Sequence, residues 1–222
     1  MGAPLRHHDR GADWHVLVLA KEPVPGRVKT RMCPPLSAAE AAEVATAALA
    51  DTLDAVAACS ADRRIVALDG HPGPWLPTGF TVVPQRGATF NGRLAAAWRD
   101  AGGPGFQIGM DTPQLTAADL DDALARTAEP GTTATLGPAE DGGWWGLGLA
   151  HGWDVDVFDG VAMSRPSTGD DQIRSLHRHG HTVTLLPTRR DVDDAASAAA
   201  VAAVAPTTRF ARTWRGLAAV GS

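Results

Sequence analysis

The chain has 222 residues, 44% of them hydrophobic and 20% charged, enough for one sizeable core and unlike a disordered or low-complexity chain. Twenty Lys+Arg against 25 Asp+Glu leave a net charge of −5, which gives no global electrostatic reason to hold nucleic acid. The longest apolar run, residues 14–20, is too short to span a bilayer, no charged-then-apolar signal segment opens the sequence, and Cys33 and Cys59 imply no disulfide framework; the expectation is a cytoplasmic protein with no membrane and no nucleic-acid partner.

Residues 1–13 carry no periodicity and read as a tail, in which His7, His8 and Asp9 are ascribed no site. Residues 16–20 form a continuous apolar run, the pattern of a strand buried on both faces. A Pro/Gly loop follows, and Ser37 with Glu40 has the spacing of a capping box that opens a helix to about Cys59. Strands are predicted at 65–68 and 81–83, a helix at 91–101, and a central strand at 106–109 that ends at Met110-Asp111. Thr116 and Asp119 cap a helix to about Ala128. Strands at 132–136 and 145–149 precede a helix at 167–179 stopped by Gly180. A last strand covers 182–186 and a helix 194–204. Strands alternating with helices predict a three-layer α/β/α domain with a mostly parallel central sheet over residues 14–206. In the segment 207–222, Phe210, Trp214 and Leu217 recur at helical spacing between Arg209, Arg212 and Arg215. That predicts a short helix docked on the core or on a partner subunit, and a homodimer is compatible with it.

The sharpest feature is the loop after the first strand. Only two of the twenty basic residues are lysines, Lys21 and Lys29, and both lie in it. With Arg27 and Arg31 they put four cations into eleven residues at the carboxyl end of a strand, the edge at which open α/β sheets bind ligands. Pro23 and Pro25 stiffen the loop and Gly26 permits close backbone approach. Arg27, Lys29 and Arg31 alternate, so an extended loop would aim them to one side, where forked and point-charge donors suit a polyphosphate. A solvated basic loop is the bland alternative. No Walker A sequence is present.

The run Leu-Ala-Lys21-Glu-Pro-Val-Pro-Gly-Arg-Val-Lys-Thr-Arg31, followed by Leu36 and Asp51-Thr52-Leu53, resembles the DUF2064 family. Further matching segments are Gln85-Arg-Gly87, Gly109-Met-Asp111-Thr-Pro113-Gln-Leu115, Gly137-Pro-Ala-Glu-Asp141-Gly-Gly143 and Asp191-Val-Asp193. The likeness spans roughly residues 14–205. It implies the GT-A nucleotide-diphospho-sugar transferase fold and a relationship to 2-phospho-L-lactate guanylyltransferases and to arsenosugar-biosynthesis glycosyltransferases. The nucleotide and phosphate contacts it implies are Lys21, Pro25, Gly26, Arg27, Lys29, Arg31 and Gln85, with Lys29 and Arg31 acting in catalysis.

Asp111 lies just past an apolar strand, where a carboxylate is well placed to hold Mg²⁺ on a phosphate; a turn or cap role is the alternative. By resemblance to sugar-acid cytidylyltransferases Asp193 is a second metal ligand, with Asp191 as its substitute and helix capping as the competing role. Asp194-Ala195 stands where the family more often continues Thr-Pro. Asp141 begins a Gly142-Gly143 turn that could admit a ligand, and it could bind acceptor hydroxyls, take a proton, or only start the turn. Trp144 is assigned to ligand contact and Trp145 to packing. Ser164 and Arg165 stand before a helix N-terminus that could hold a second anion. His151, His177, His179 and His181 show no zinc spacing.

Three functions are compatible with this pattern. The first is an Mg²⁺- (or Mn²⁺-) dependent nucleotidyltransferase: a phosphate or phosphonate oxygen of a small acceptor attacks the α-phosphorus of a nucleoside triphosphate, and pyrophosphate leaves. The second is a GT-A glycosyltransferase using a nucleoside-diphosphate sugar, with Asp141 as general base. The third is a nucleotide sensor or scaffold that keeps the fold without turnover. The strength of the basic loop favours the first.

Overall fold

The apolar run at 16–20 lies within strand β1 (His15–Lys21), which is buried along all but its last residue, as a strand must be when helices cover both faces of a parallel sheet. The structure, a computed structural model, describes residues 13–152 and 155–220; His7, His8 and Asp9 lie outside the described residues. In chain order the remaining elements are α1 (Ala38–Ala58), β2 (Arg63–Asp69), β3 (Thr81–Pro84), α2 (Phe90–Ala101), β4 (Gly105–Gly109), α3 (Ala117–Thr127), β5 (Ala134–Pro138), β6 (Trp144–Leu149), α4 (Thr168–Arg178), β7 (Val183–Leu185), α5 (Ala195–Val204) and α6 (Arg209–Val220). The strands form one seven-stranded sheet in the order β3-β2-β1-β4-β6-β5-β7. β6 runs antiparallel to its neighbours β4 and β5, and every other pairing is parallel. The three-layer, mostly parallel sheet read from the sequence is the one observed.

Local chemistry sets the helix starts. The Ser37 side chain accepts from the Glu40 amide while the Glu40 carboxylate accepts from the Ser37 amide, and Thr116 and Asp119 do the same for α3. Such reciprocal caps satisfy donors that a helix cannot satisfy internally. One apolar cluster fills the face under α1 and α3, with Val16, Val18, Phe106 and Ile108 at its centre. A second fills the opposite face, with Leu17, Leu19, Leu94 and Trp98. A third joins α1, α5 and α6 through Val44, Val201, Phe210 and Trp214. The helix expected after residue 207 is therefore docked on its own chain, against α1 and α5. No described helix is long and apolar enough to cross a membrane, and both cysteines are free.

The chain runs from β1 outward to β2 and β3, then returns to place β4 on β1's other side. The strand order reverses there, and the residues that end and follow β1 and β4 line a crevice. Lys21 ends β1 at this crevice, and Asp111 follows β4.

At the opposite end of β1, His15 is fully buried. Its ring meets Trp98 edge-on at 5.2 Å between centroids, and Gly105 leaves room for it, since a β-carbon there would sit 2.5 Å from the ring. Burial, with the Arg63 charge adding to it, lowers the imidazole pKa to about 3. The unfolded chain takes up a proton near pH 6.5 that the native state refuses until about pH 3, so stability must fall as pH drops through that window. Urea unfolding is expected to lose about 1.4 kcal/mol per pH unit from this one group. His15→Phe should flatten the slope by one proton's worth while keeping the edge-on ring contact.

Candidate functional site

The basic loop is a sequence of turns rather than an extended arm. The Arg27 amide donates to the Val24 carbonyl at 3.0 Å, Gly26 sits at φ 77 and Lys29 at φ 48, and residues Thr30–Met32 form one 3-10 turn. Two apolar side chains dictate this path: Val28 is buried in the first core cluster and Met32 in the third. An extended loop would expose both. The expectation that Arg27, Lys29 and Arg31 point to one side is therefore corrected. The Arg27 guanidinium turns back to within 3.9 Å of Asp69. Lys29 turns inward and its side chain is only 7% exposed. Arg31 stays 72% exposed, with Nη1 3.2 Å from Asp193 Oδ2. Lys21 has no carboxylate partner among the described residues.

Lys29 is the centre of a clamp. Its ammonium pairs with Asp111 Oδ1 and donates to the Val192 carbonyl. The Val192 amide in turn donates to the Asp111 carbonyl at 2.8 Å. A buried ammonium is tolerable only with such partners. The result fastens three distant parts of the chain together: the basic loop, the end of β4 and the segment before α5.

That segment carries the acidic cluster. Ala139 forms an isolated bridge with Arg189, the Gln114 amide donates to the Arg190 carbonyl at 2.5 Å, and Trp145 Nε1 donates to the Pro187 carbonyl at 3.0 Å. These bonds lay 187–193 across the carboxyl edge of the sheet. Carboxylate oxygens of Asp141, Asp191 and Asp193 come within 4.8 Å of one another. Burial, reinforced by the charges of Asp141, Asp193 and Asp111, pushes the Asp191 carboxyl up to about 6. Asp194, not Asp193, caps α5: its side chain accepts from the Ser197 amide at 2.8 Å. Asp193 is thereby left to face Arg31 and the cluster.

Three cavities meet here. One of about 480 Å³ runs along the β1 and β4 ends to Trp144 and Met163. One of about 240 Å³ is lined by Lys21, Arg27, Lys29 and Arg31 together with Asp111 and Asp193. One of about 450 Å³ lies over Glu140, Arg190 and Asp191. Arg31 and Asp193 border all three, and Lys21 and Asp111 border the first two.

The other expected contacts fall differently. Gln85 borders the large cavity, but its amide nitrogen donates to the Ala20 and Ala67 carbonyls at 2.8 and 3.1 Å, so those donors tie β1 to β2 rather than reach a phosphate. Pro25 and Gly26 shape the turn and border neither the large nor the basic cavity. The space at Gly142 is filled by protein, not left for a ligand: a β-carbon there would lie 2.0 Å from the Pro166 carbonyl oxygen. Gly143 donates its amide to Asp141 Oδ1 at 2.8 Å. Ser164 and Arg165 do line the large cavity, but the start of α4 is no open anion site. The Thr168 and Gly169 amides already donate to the Arg165 and Gly142 carbonyls at 3.0 and 2.8 Å, and Asp170 and Asp171 make its first turn acidic. Trp144 lines the large cavity and Trp145 packs at 5.7 Å against Phe106.

Sequence reasoning ranked Asp191 behind Asp193 and did not single out Gln107 or Thr112, which also line the large cavity. The alternation Asp191-Val192-Asp193 held the signal for the first. Val192 is buried in the core, and the acids on either side of it meet outside that core.

The sequence at residues 39–165 matches the model of a family described as uncharacterized protein conserved in bacteria (DUF2064). No curated protein matches the sequence. Among solved structures, a candidate nucleotide-diphospho-sugar transferase from Desulfovibrio desulfuricans G20 superposes with TM-score 0.84 at 21% identity, covering 95% of this chain and 97% of that one. A nucleotidyl transferase from Methanothermobacter gives 0.57 at 15% identity over 90% and 98%. CMP:2-keto-3-deoxy-manno-octonic acid synthetase, in complex with CTP, gives 0.50 at 11% over 86% and 98%. At such identities the likeness is one of fold.

The clamp and the cluster predict opposite effects. Lys29→Met should cost about 2–4 kcal/mol in urea unfolding, because it strands the carboxylate and carbonyl that the ammonium holds. The native Asp191 carboxyl keeps a proton, up to about pH 6, that the unfolded chain releases near its ordinary 3.8, so stability is lost as pH rises through that window. Asp191→Asn should therefore gain about 1–2 kcal/mol at pH 8, allowing for solvent screening, and nothing below pH 4.

Proposed function

The chain belongs to the DUF2064 family, and from that premise we propose that it is a divalent-metal-dependent nucleotidyltransferase, moving a nucleoside monophosphate unit from a nucleoside triphosphate to a small phosphorylated or phosphonate acceptor. The observation that carries this reading is the pairing of cavities: a small basic one with four cations joins a larger one of ligand size along Asp111 and Asp193. A phosphate chain suits the first and a base, sugar or acceptor the second.

The residues fit a hard cation. Three carboxylates within 4.8 Å, one of them disfavoured as an anion by burial and by its neighbours, form the all-oxygen donor set that Mg²⁺ or Mn²⁺ takes. Asp141, Asp191 and Asp193 would hold the ion, with Asp111 beside them. When bound, it would supply positive charge to phosphate oxygens.

The protein's own groups do the rest. Lys21, at the end of β1 and without a carboxylate partner among the described residues, borders both cavities and would donate to phosphate oxygens where negative charge builds. Arg31 is exposed and held by one carboxylate, so an arriving phosphate can replace Asp193 at little cost. Lys29 acts as a positioning residue, fixing Asp111 rather than gripping phosphate. A phosphate or phosphonate nucleophile is already ionised, so no general base is needed. That agrees with Asp141, the base required by glycosyl transfer, standing inside the acidic cluster.

Pyrophosphate release, measured with each of the four ribonucleoside triphosphates, Mg²⁺ or Mn²⁺ and a panel of phosphorylated acceptors, tests this reading. Turnover is expected with one combination, falling ~100-fold in Arg31→Ala and Asp193→Asn. Consumption of a UDP- or GDP-sugar without pyrophosphate would replace it with glycosyl transfer. Nucleotide binding unaffected by Asp193→Asn, with no product from either class, would leave a sensor.

A further inference from the structure

Gln107 sits in the middle of β4, paired with Leu17 of β1 and Leu147 of β6, and is only 2% exposed. A polar side chain in the centre of a parallel sheet needs partners. It has one: Trp98 Nε1 lies 2.7 Å from Gln107 Oε1. An indole N–H can only donate, so the atom facing it must be the carboxamide oxygen, and the orientation of the amide is fixed by chemistry. The NH₂ end is then turned the other way. It has no acceptor among the described residues, and the residue borders the large cavity. Two more polar atoms of residues that border that cavity are buried without partners, Thr112 Oγ1 and Trp144 Nε1. The NH₂ and the indole N–H are donors only and the Thr112 hydroxyl can donate as well as accept, so these three groups have more hydrogens to give than the protein around them takes up.

A ligand that completes these groups brings acceptor oxygens. It is uncharged at that end. The cations sit at the rim, on Lys21, Arg31 and Arg165, and an anion held by a neutral amide in the sheet interior would lose its hydration without a counter-charge. Trp144, Phe90 and Met163 border the same cavity, which favours a ring over a flexible chain. We infer that Gln107, oriented by Trp98, is a ligand-binding residue that donates to a carbonyl or hydroxyl oxygen of an uncharged ring, either a nucleobase or a sugar. This deepens the function proposed above and rests on it in taking the large cavity as the place of a reacting partner.

The chain has four glutamines and one asparagine, so a ¹H–¹⁵N spectrum contains five side-chain NH₂ pairs and that of Gln107 can be followed alone. It is titrated with uridine, cytidine and inosine in one arm and with the methyl glycosides of glucose, mannose and galactose in the other, at millimolar concentration. Magnesium tripolyphosphate is a separate probe of the basic cavity. The expected result is a saturable shift of the Gln107 NH₂ signals in at least one arm, with affinity for that probe falling about tenfold in Gln107→Leu and Gln107→Glu. Gln107→Glu keeps an acceptor for Trp98 should Gln107→Leu not fold, and the wild-type titration needs neither variant. The responding arm tells nucleoside from hexose, and ribose alone as a control tells the base of a nucleoside from its sugar. Signals unmoved by every probe, or a probe that binds both variants as well as the wild type, would overturn the inference. Tripolyphosphate binding that Arg31→Ala leaves unchanged would instead count against the polyphosphate reading alone.

Discussion

One buried ammonium holds the site together. Lys29 joins the Asp111 carboxylate to the Val192 carbonyl, and the return bond from the Val192 amide to the Asp111 carbonyl closes the ring. These residues lie 82 and 81 positions apart along the chain, since 111 − 29 = 82 and 192 − 111 = 81. Each is delivered by a different neighbour in the fold: a loop leaving β1, the end of β4, and the strand-like approach to α5. Without the ammonium, Asp111 would add an unpaired charge beside three other carboxylates, of which Asp193 pairs with the exposed Arg31.

The charges around this ring serve two purposes that differ in permanence. Lys29 is enclosed, so its pairing is structural. Arg31 and Asp193 meet in water, where an ion pair is weak and exchangeable. A phosphate arriving at Arg31 and a cation arriving at Asp193 would each replace a partner that is easily given up. The acidic cluster is strained in the opposite sense. Asp191 is driven toward its protonated form by burial and by three neighbouring carboxylates, a cost to the empty fold that a bound divalent cation would remove. Perturbed groups of this kind concentrate where ligands bind.

Donor and acceptor arrangement divides the crevice into two chemistries. The small cavity is ionic, lined by four cations and by the carboxylates that two of them pair with. The large cavity combines ring and thioether side chains with polar atoms that have no partner in the protein. The second arrangement depends on Trp98, which reaches across from α2 to fix a glutamine on β4. A helix packed on one face of the sheet thus determines which end of an amide a ligand would meet.

Much of the architecture could be read from residues alone because its causes are local. The apolar run of β1, the Ser37–Glu40 and Thr116–Asp119 boxes, and the helical spacing of Phe210, Trp214 and Leu217 each act within a few positions. So did the placement of Lys21 and Asp111, which needed only the rule that ligands gather at strand carboxyl ends. Where Arg27, Lys29 and Arg31 point could not be read this way. Alternation predicts one shared direction, but burial of Val28 and Met32 in two different clusters folds the loop and sends the three cations to three carboxylates. Asp141, Asp191 and Asp193 likewise come together only because the bridge at Ala139–Arg189 and the bond from Val192 to Asp111 bring separated segments to one edge. Periodicity and capping belong to neighbours in sequence; charge pairing and burial belong to neighbours in space, and those exist only once the sheet has formed.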